Sequence, residues 1–440
     1  MRKMLSLLLQ QANVDFLNVL WCDYANIIRG KAFHRNLFET AGEYPVSISL
    51  AQLGVSAIGD YVLSDSGYQP VGEIFLKPDW DTLRVLPWLE HFASVMGEMV
   101  SRDVQGLFDP RAILKDAREK LGEKGLEIRV AFENEFSLLD SHPGGQPVDD
   151  HLFAMPDSTL ECAPFIVELS RSLELLGMEV ERFYPESGAG QYELTTRYGD
   201  ALSAADNQVL FRQAVHGVAR SFGLGASFLP KLSEEQAGNG CHLHFSLWKE
   251  GKNLFAQDFG QQQGEAEHFL QGVLSHLRAL SLLSIPSPNS YRRLKPHFWS
   301  GAFACWGIDN REAALRAVTV PQGGINHFEL KTSDATANPY LALAGLIYCG
   351  LAGLEEKKPL QDAVNDDPGN YSQPVLHQKH IVHLPQDLGE AIDRFQEDKV
   401  LQGYLGEIFC RPFLAIRKEE YERIRQLTFE HEVALLRDRY

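Results

Sequence analysis

Positive charge is what this sequence has least of: 41 lysines and arginines stand against 59 aspartates and glutamates, a formal charge of -18. Nucleic acids and anionic membranes demand clustered cations to neutralise phosphate, so the balance argues against both as partners while leaving room for a local basic pocket for ATP. Cysteine is also sparse. Cys22, Cys162, Cys241, Cys305, Cys349 and Cys410 are scattered without C-x-x-C spacing, which argues against a disulfide framework and predicts reduced thiols in a cytoplasmic protein. Long apolar runs are missing too. The longest, "YLALAGLIYCGLAGL", falls short of a membrane span and reads as a buried helix. The opening "MRKMLSLLLQQANVDF" ends its apolar run in Gln-Gln with no small-residue cleavage site, unlike a signal peptide. No internal repeat or low-complexity tract is present.

What is present is an ordinary globular composition, 44% hydrophobic and 23% charged, spread over 440 residues, more than one core usually supports. A mixed α/β or α+β fold in two parts is expected, with a smaller domain over 1–104 and a larger one over 105–440. After a short amphipathic helix, "VDFLNVLWCDYANIIRGKAF" reads as two strands around a polar turn, and strands and turns continue to "LKPDWDTLRVLPW". Asp109-Pro110 supplies an N-cap and a first-turn proline for a helix at the boundary. Beyond it, strand-like pieces ("LEIRVAFENEFSLL", "GQYELTT", "GCHLHFSLW", "NHFELKT") alternate with helices ("ADNQVLFRQAVHGVARSFG", "HFLQGVLSHLRALSLLS", "NPYLALAGLIYCGLAGL"). Residues 355–374, "EEKKPLQDAVNDDPGNYSQP", read as an exposed flexible loop.

Chemistry enters through polar pairs set in apolar strands. In "AFENEFSLL", Glu133 and Glu135 are two residues apart and project from one face, where two carboxylates repel unless a cation or proton lies between them. Glu186 and Glu193 flank the glycine-rich turn of "PESGAGQYEL", His242 and His244 repeat the same spacing in "GNGCHLHFSLW", and Glu329 lies in "HFELKT". Taken singly, such a pair is more often a solvated face, and H-x-H also belongs to cupin barrels. Several carboxylates in strands that otherwise read as core cannot all be buried unpaired. Gathered together, an oxygen-rich set with one or two imidazoles favours Mg2+ or Mn2+ over zinc. A concentration of Arg292, Arg293, Lys295, Arg311 and Arg316 adds guanidinium groups suited to carboxylate or phosphate, although one arginine alone would be an ordinary surface ion pair.

In order and spacing, "ENEF", "PESGAGQYE", "GNGCHLHFSLW", "NSYRRL", "DNREAALR" and "ELKTSDATANPYLALAGL" resemble the glutamine synthetase family along nearly the whole chain. The resemblance implies a small N-terminal β-grasp domain, a catalytic domain whose strands line a funnel, and a homo-oligomeric ring, usually a dodecamer of two hexamers, with each site completed by a neighbour. It also implies ATP as co-substrate and two or three Mg2+ or Mn2+ ions. Glu135, Glu186 and Glu193 would hold one ion and Glu133, His242 and Glu329 another. His244, Ser246, Arg316 and His327 would lie on the nucleotide side. Arg293, with Gly238, Gly240, Trp299 and Lys331, would line the acid and amine pocket. Arg311 and Arg316 would clamp the transferred phosphoryl group, and Asp23 would be the acidic residue lent to a neighbour's amine site.

Departures from the family pattern fall at the substrate end. Trp299 stands where the family has a flap glutamate, and an indole neither balances nor deprotonates ammonium, though it can wall a larger organic group. Lys331 replaces an arginine, His327 an arginine that serves ATP, and Ala237 a polar residue. The expected activity is therefore an ATP-dependent ligase joining glutamate or a related acid to an amine other than ammonia through an acyl phosphate. Ordinary glutamine synthesis is the alternative, and a catalytically silent structural or regulatory ring is a third reading.

Overall fold

Alternation of apolar residues along Phe16–Cys22 buries one face of the first strand and, at its end, both. The computed structural model describes residues 2–38, 40, 42–256, 259 and 264–440. After helix α1 (Arg2–Gln11), strands β1 (Phe16–Cys22), β2 (Ile28–His34), β3 (Val46–Ser49), β4 (Glu73–Val85) and β5 (Phe92–Ser101) form one sheet in the order β2-β1-β5-β4-β3. The first and last of these strands run parallel and the hairpins around them antiparallel, which is a β-grasp arrangement. Residues Asp23 to Ile27 form the polar turn between β1 and β2, with Asn26 in the left-handed region at φ 58.

Helix α2 (Pro110–Glu123) follows, and the Asp109 side chain accepts the Arg111 N–H as its N-cap. The chain then builds a second sheet. Its long central strand is β6 (Glu127–Leu139), followed by α3 (Pro156–Leu175), β7 (Val180–Pro185), β8 (Gln191–Thr196), α4 (Ala201–Ser221), β9 (Cys241–Lys249) and α5 (Glu265–Ser284). Strands β10 (Phe303–Ile308), β11 (Ala313–Thr319) and β12 (Ile325–Leu330), helix α6 (Pro339–Glu356) and β13 (Val382–His383) complete it. The order is β13-β10-β11-β12-β9-β6-β8-β7, with short strands added beside it. Every pairing along it is antiparallel except β10 with β11.

Helix α6 is the apolar stretch read from the sequence, and Pro339 to Gly353 are all buried. It lies against α5, and a Cβ on Gly353 would run into the backbone of Gly272, so glycine permits this close approach. No described helix is long and apolar enough to cross a membrane. All six cysteines are free and buried. The buried Arg111 of α2 joins the first sheet to α4: it pairs with Asp79 (2.8 Å) of β4, Glu98 (3.0 Å) of β5 and Asp206 (2.8 Å) of α4.

Two features differ from the sequence reading. Helix α3 and the four helices from Leu388 to Leu436 fall outside the sequence reading, although Leu388–Glu397 carries a clear apolar stripe of Leu388, Ala391, Ile392 and Phe395. The segment 355–374 begins as the last turn of α6 and is then tied down rather than loose. Val364 N–H donates to Trp306 O (2.8 Å) and Trp306 Nε1 to Gln361 O (2.7 Å). Its apolar members explain the anchoring, since Val364 is buried in a small separate core with Phe303, Cys305 and Ala313.

Candidate active site

Cross-strand register assembles the site. Glu193 of β8 lies opposite Glu135 of β6, and Glu133 opposite His242 of β9. His244 lies opposite Glu329 of β12, which lies opposite Arg316 of β11. Opposed residues share a face, and so do residues two apart on one strand, so these seven side chains emerge on the same side of four adjacent strand pairings.

At the centre, His242 Nδ1 is 2.8 Å from Glu133 Oε1, 3.2 Å from Glu329 Oε1 and 4.0 Å from Glu135 Oε1. One imidazole nitrogen thus faces carboxylates from two other strands. The second histidine takes the other oxygen of the same glutamate, with His244 Nε2 3.0 Å from Glu133 Oε2. His244 Nδ1 in turn meets His327 Nε2 at 2.8 Å. Glu329, wholly buried, pairs with Arg316 (3.0 Å) and Lys331 (3.1 Å). Glu135 Oε2 accepts from Gln191 Nε2 (2.7 Å) and from Gly240 N–H (2.9 Å).

Protonation follows from this crowding. Burial and the charges of Glu135 and Glu133 push Glu186 up to about 7, and burial with Glu133, Glu135 and Glu186 pushes Glu193 up to about 9. Glu133 goes the other way: burial would raise it, but hydrogen bonds from His242 and His244 outweigh that and hold it well below the usual carboxylate range. For Glu329 the adverse burial is outweighed first by the Lys331 charge and then by His242. His242 is raised: burial and Lys331 oppose its charge, but its bonds to Glu133 and Glu329 prevail. His327 falls to about 4 through burial and the neighbouring His244.

The arrangement fits a divalent cation. Two groups, Glu133 with Glu135 and His242 and Glu133 with His244 and Glu329, each present ligand atoms within 4.8 Å of one another. Glu133, Glu135 and Glu329 each bring a carboxylate oxygen within 4.0 Å of His242 Nδ1, with Arg316 and Lys331 as the cations on Glu329, so negative charge gathers where a divalent ion would balance it, while Glu186 and Glu193 lie outside both groups. His242 Nε2 is buried with no partner among the described residues. Oxygen donors with imidazole suit Mg2+ or Mn2+. Gly240 belongs to this geometry as well, because a Cβ there would run into the His242 imidazole.

The other residues named from the sequence divide into near and far. Arg293, buried, donates through Nη2 to the carbonyls of Lys331 (3.4 Å), Thr332 (2.9 Å) and Ser333 (3.3 Å), which places it at the end of the Glu329 strand. A Cβ on Gly238 would meet the Arg293 side chain at 3.1 Å, and the Gly238 carbonyl accepts from Gln191 Nε2 (3.1 Å). Ser246 continues the His242 and His244 face and accepts from Trp248 Nε1 (2.8 Å). Trp299 is more than half exposed, at 57%, with the Arg311 guanidinium 5.7 Å from its ring. Asp23 is not brought to the cluster of its own chain. Its carboxylate accepts from Ala25 N–H (2.9 Å), Ile27 N–H (2.8 Å) and Arg29 Nε (2.9 Å) and closes the turn between β1 and β2. The sequence reading passed over Gln191, which ties Glu135 to the Gly238 loop. It lies two residues before Glu193 on the same strand face, the spacing used for the acidic pairs.

Comparison with known proteins identifies the family. The model of the glutamine synthetase catalytic domain matches residues 107–436. A glutamine synthetase of Pyrococcus abyssi is 34% identical over 371 residues, 84% of this chain and 83% of that protein. A gamma-glutamylpolyamine synthetase of Streptomyces coelicolor is 33% identical over 407 residues, 88% of this chain and 87% of the relative. Among solved structures, one described as a novel glutamine synthase homolog superposes with a TM-score of 0.84 at 30% identity, covering 97% of this chain and 99% of that one. A GmaS/ADP complex gives the same TM-score at 25% identity, covering 97% and 98%. A family model spanning three-quarters of the sequence, relatives matched over most of their length and a shared fold lead to one conclusion: the chain belongs to the glutamine synthetase family, whose members are ATP- and divalent-metal-dependent ligases.

Proposed function

We propose that the protein is an ATP-dependent ligase that joins the side-chain carboxylate of glutamate, or a related acid, to an amine other than ammonia. The observation that carries this reading is the coexistence of an intact carboxylate and histidine cluster with an exposed indole, Trp299, at the position where the resemblance expects a flap glutamate. The similarity to a polyamine-using relative supports it. Glu135, Glu186 and Glu193 would hold one divalent ion and Glu133, His242 and Glu329 another. The ions would supply electrostatic stabilisation of transferring phosphoryl oxygens.

The chain's own residues would do the remainder. Arg293, Gly238, Gly240 and Lys331 orient the acid so that its carboxylate oxygen attacks the γ-phosphorus of ATP, releasing ADP. His244, Ser246 and His327 line the nucleotide side, and Arg316 with Arg311 balances charge on the transferred group. The amine nitrogen then attacks the acyl carbon, the C–O bond to phosphate breaks, and the proton on nitrogen passes to the departing phosphate or to water. The same proposal includes a cytoplasmic homo-oligomeric ring, a dodecamer of two hexamers, in which the Asp23 region of one subunit faces the next subunit's site.

Phosphate release from ATP with Mg2+ or Mn2+ and glutamate, measured across ammonium, methylamine, ethanolamine, a polyamine and an aromatic amine with products weighed by mass spectrometry, tests this. Turnover with an organic amine well above ammonium is expected. Ammonium as the best acceptor would instead establish glutamine synthesis, the reading that resemblance to glutamine synthetases at 34% identity favours. Silence with every amine despite metal binding would remove glutamate as the acid.

A further inference from the structure

The segment Leu294–Ser300 arches between two anchors on one stretch of chain. At its start, Arg293 bonds to the carbonyls of Lys331, Thr332 and Ser333. At its end, Gly301 packs so closely that a Cβ there would stand 3.1 Å from Lys331 Cβ. The arch closes on itself through Ser300, whose hydroxyl accepts from Lys295 N–H (3.0 Å) and donates to Lys295 O (2.8 Å). Two of its residues, His297 (φ 66) and Trp299 (φ 54), hold left-handed backbone conformations that bulky side chains rarely adopt. Something in the surroundings must over-determine them.

That something is a carboxylate. Glu312 is 6% exposed, and its two oxygens accept separately from these two residues: His297 N–H to Oε2 at 3.1 Å and Trp299 N–H to Oε1 at 2.8 Å. Paired N–H groups in a tight turn form a concavity suited to an anion, and here the chain fills it internally. Glu312 is itself fixed. Its N–H donates to Asn310 Oδ1 (3.0 Å), and Asn310 Nδ2 holds Val364 O (2.6 Å) and Asp366 O (3.0 Å). His297 Nδ1 meets Asp367 Oδ2 at 2.8 Å, so the arch is tied to the 364–367 segment at two points. Above the clamp, the Phe298 and Trp299 rings lie bare, with Lys231 and Arg311 cations 5.5 and 5.7 Å from their centres.

We propose that Glu312 is the positioning residue that presents Trp299 to the acceptor amine, and so sets which amines are used, by gripping the amides on either side of Phe298. This rests on the reading of Trp299 as part of the amine pocket. Both rings already hold cations, which repel a second positive charge, so the fitting acceptor is a primary amine whose body is an apolar chain able to lie on the indole.

Two variants in the full-length assembled protein test it. Glu312→Ala removes both acceptors; Glu312→Gln keeps the shape but offers one oxygen, its NH2 confronting an N–H. Amide hydrogen exchange over 294–301, followed without any amine, should quicken by at least about tenfold in Glu312→Ala, which loses two hydrogen bonds to a charged group, and less in Glu312→Gln. The KM for the preferred amine should rise by a similar factor while those for ATP and the acid stay within about twofold. Unchanged exchange in both variants would overturn the clamp. Faster exchange with no selective effect on the amine KM would overturn the positioning role. Trp299→Ala separates the two ideas, since an unchanged amine ranking in that variant defeats the pocket reading whatever the exchange shows.

Discussion

Glu133 and His242 face each other across adjacent strands with 2.8 Å between Oε1 and Nδ1, and the second oxygen of Glu133 is taken by His244 at 3.0 Å. A single carboxylate therefore holds both imidazoles of the H-x-H pair, and it belongs to both candidate ligand groups.

Glu133→Gln, which keeps the size and removes the charge, should weaken Mn2+ binding by on the order of 100-fold and abolish turnover with every amine. Electron paramagnetic resonance of free Mn2+ reads the affinity directly. Wild-type affinity in this variant would remove Glu133 from the ligand set.

Metal binding should release protons. Glu186 near 7 and Glu193 near 9 hold protons at neutral pH in the metal-free protein, and a metal requires them ionised. Mn2+ affinity should rise from pH 6 to pH 9 and then level off. The sign for folding is opposite: these two acids have folded values above their unfolded one of 4.5, so the metal-free fold binds the extra protons, and their contribution to stability falls as pH rises from about 4.5 and levels off above about 7 for Glu186 and about 9 for Glu193. Calorimetry in buffers of different ionisation enthalpy measures the released protons, and none released at pH 7 would contradict the assignment.

Trp299→Glu should raise turnover with ammonium relative to organic amines by about tenfold, since a carboxylate supplies both a counter-charge and a proton acceptor. Competition between ammonium and ethanolamine in one reaction, with products weighed, gives the ratio. An unaltered ratio would place Trp299 outside the amine pocket.

Lys331→Met removes one of two cations on the buried Glu329. The metal-free protein should lose about 2 kcal/mol in urea unfolding, the size of a missing charged hydrogen bond, and the acid KM should rise. Lys331→Arg should recover the acid KM more than the stability, because a planar guanidinium grips carboxylate well but needs more room. No change in either quantity in the methionine variant would leave Lys331 without a role.

How much of this could be read from the chain varies with the range of the interaction. The pairs Glu133 with Glu135 and His242 with His244 were legible because two-residue spacing fixes a shared face locally. That Glu193 would stand opposite Glu135, or Glu329 opposite His244, was not, since strand neighbours far apart in sequence are chosen by the whole fold; only the ordered family motifs supplied that grouping. Helix α3 was missed because its hydrophobic positions are weakly segregated and Pro164 interrupts the pattern. Glu312 was hidden beside Arg311, where the run reads as basic, and nothing local shows that its carboxylate turns back to the chain 13 and 15 residues earlier.

The ladder of opposed side chains and the arch over it are built from different material. The ladder depends on register across β8, β6, β9, β12 and β11, and a one-residue slip in any of them would turn its contribution to the opposite face. The arch is a short loop hung between Arg293 and Gly301 and pinned by two carboxylates, Glu312 and Asp367. Under the proposed function, a protein made this way would have a fixed engine and an interchangeable mouthpiece, its choice of acceptor drifting by single substitutions in seven residues while phosphoryl chemistry stayed the same.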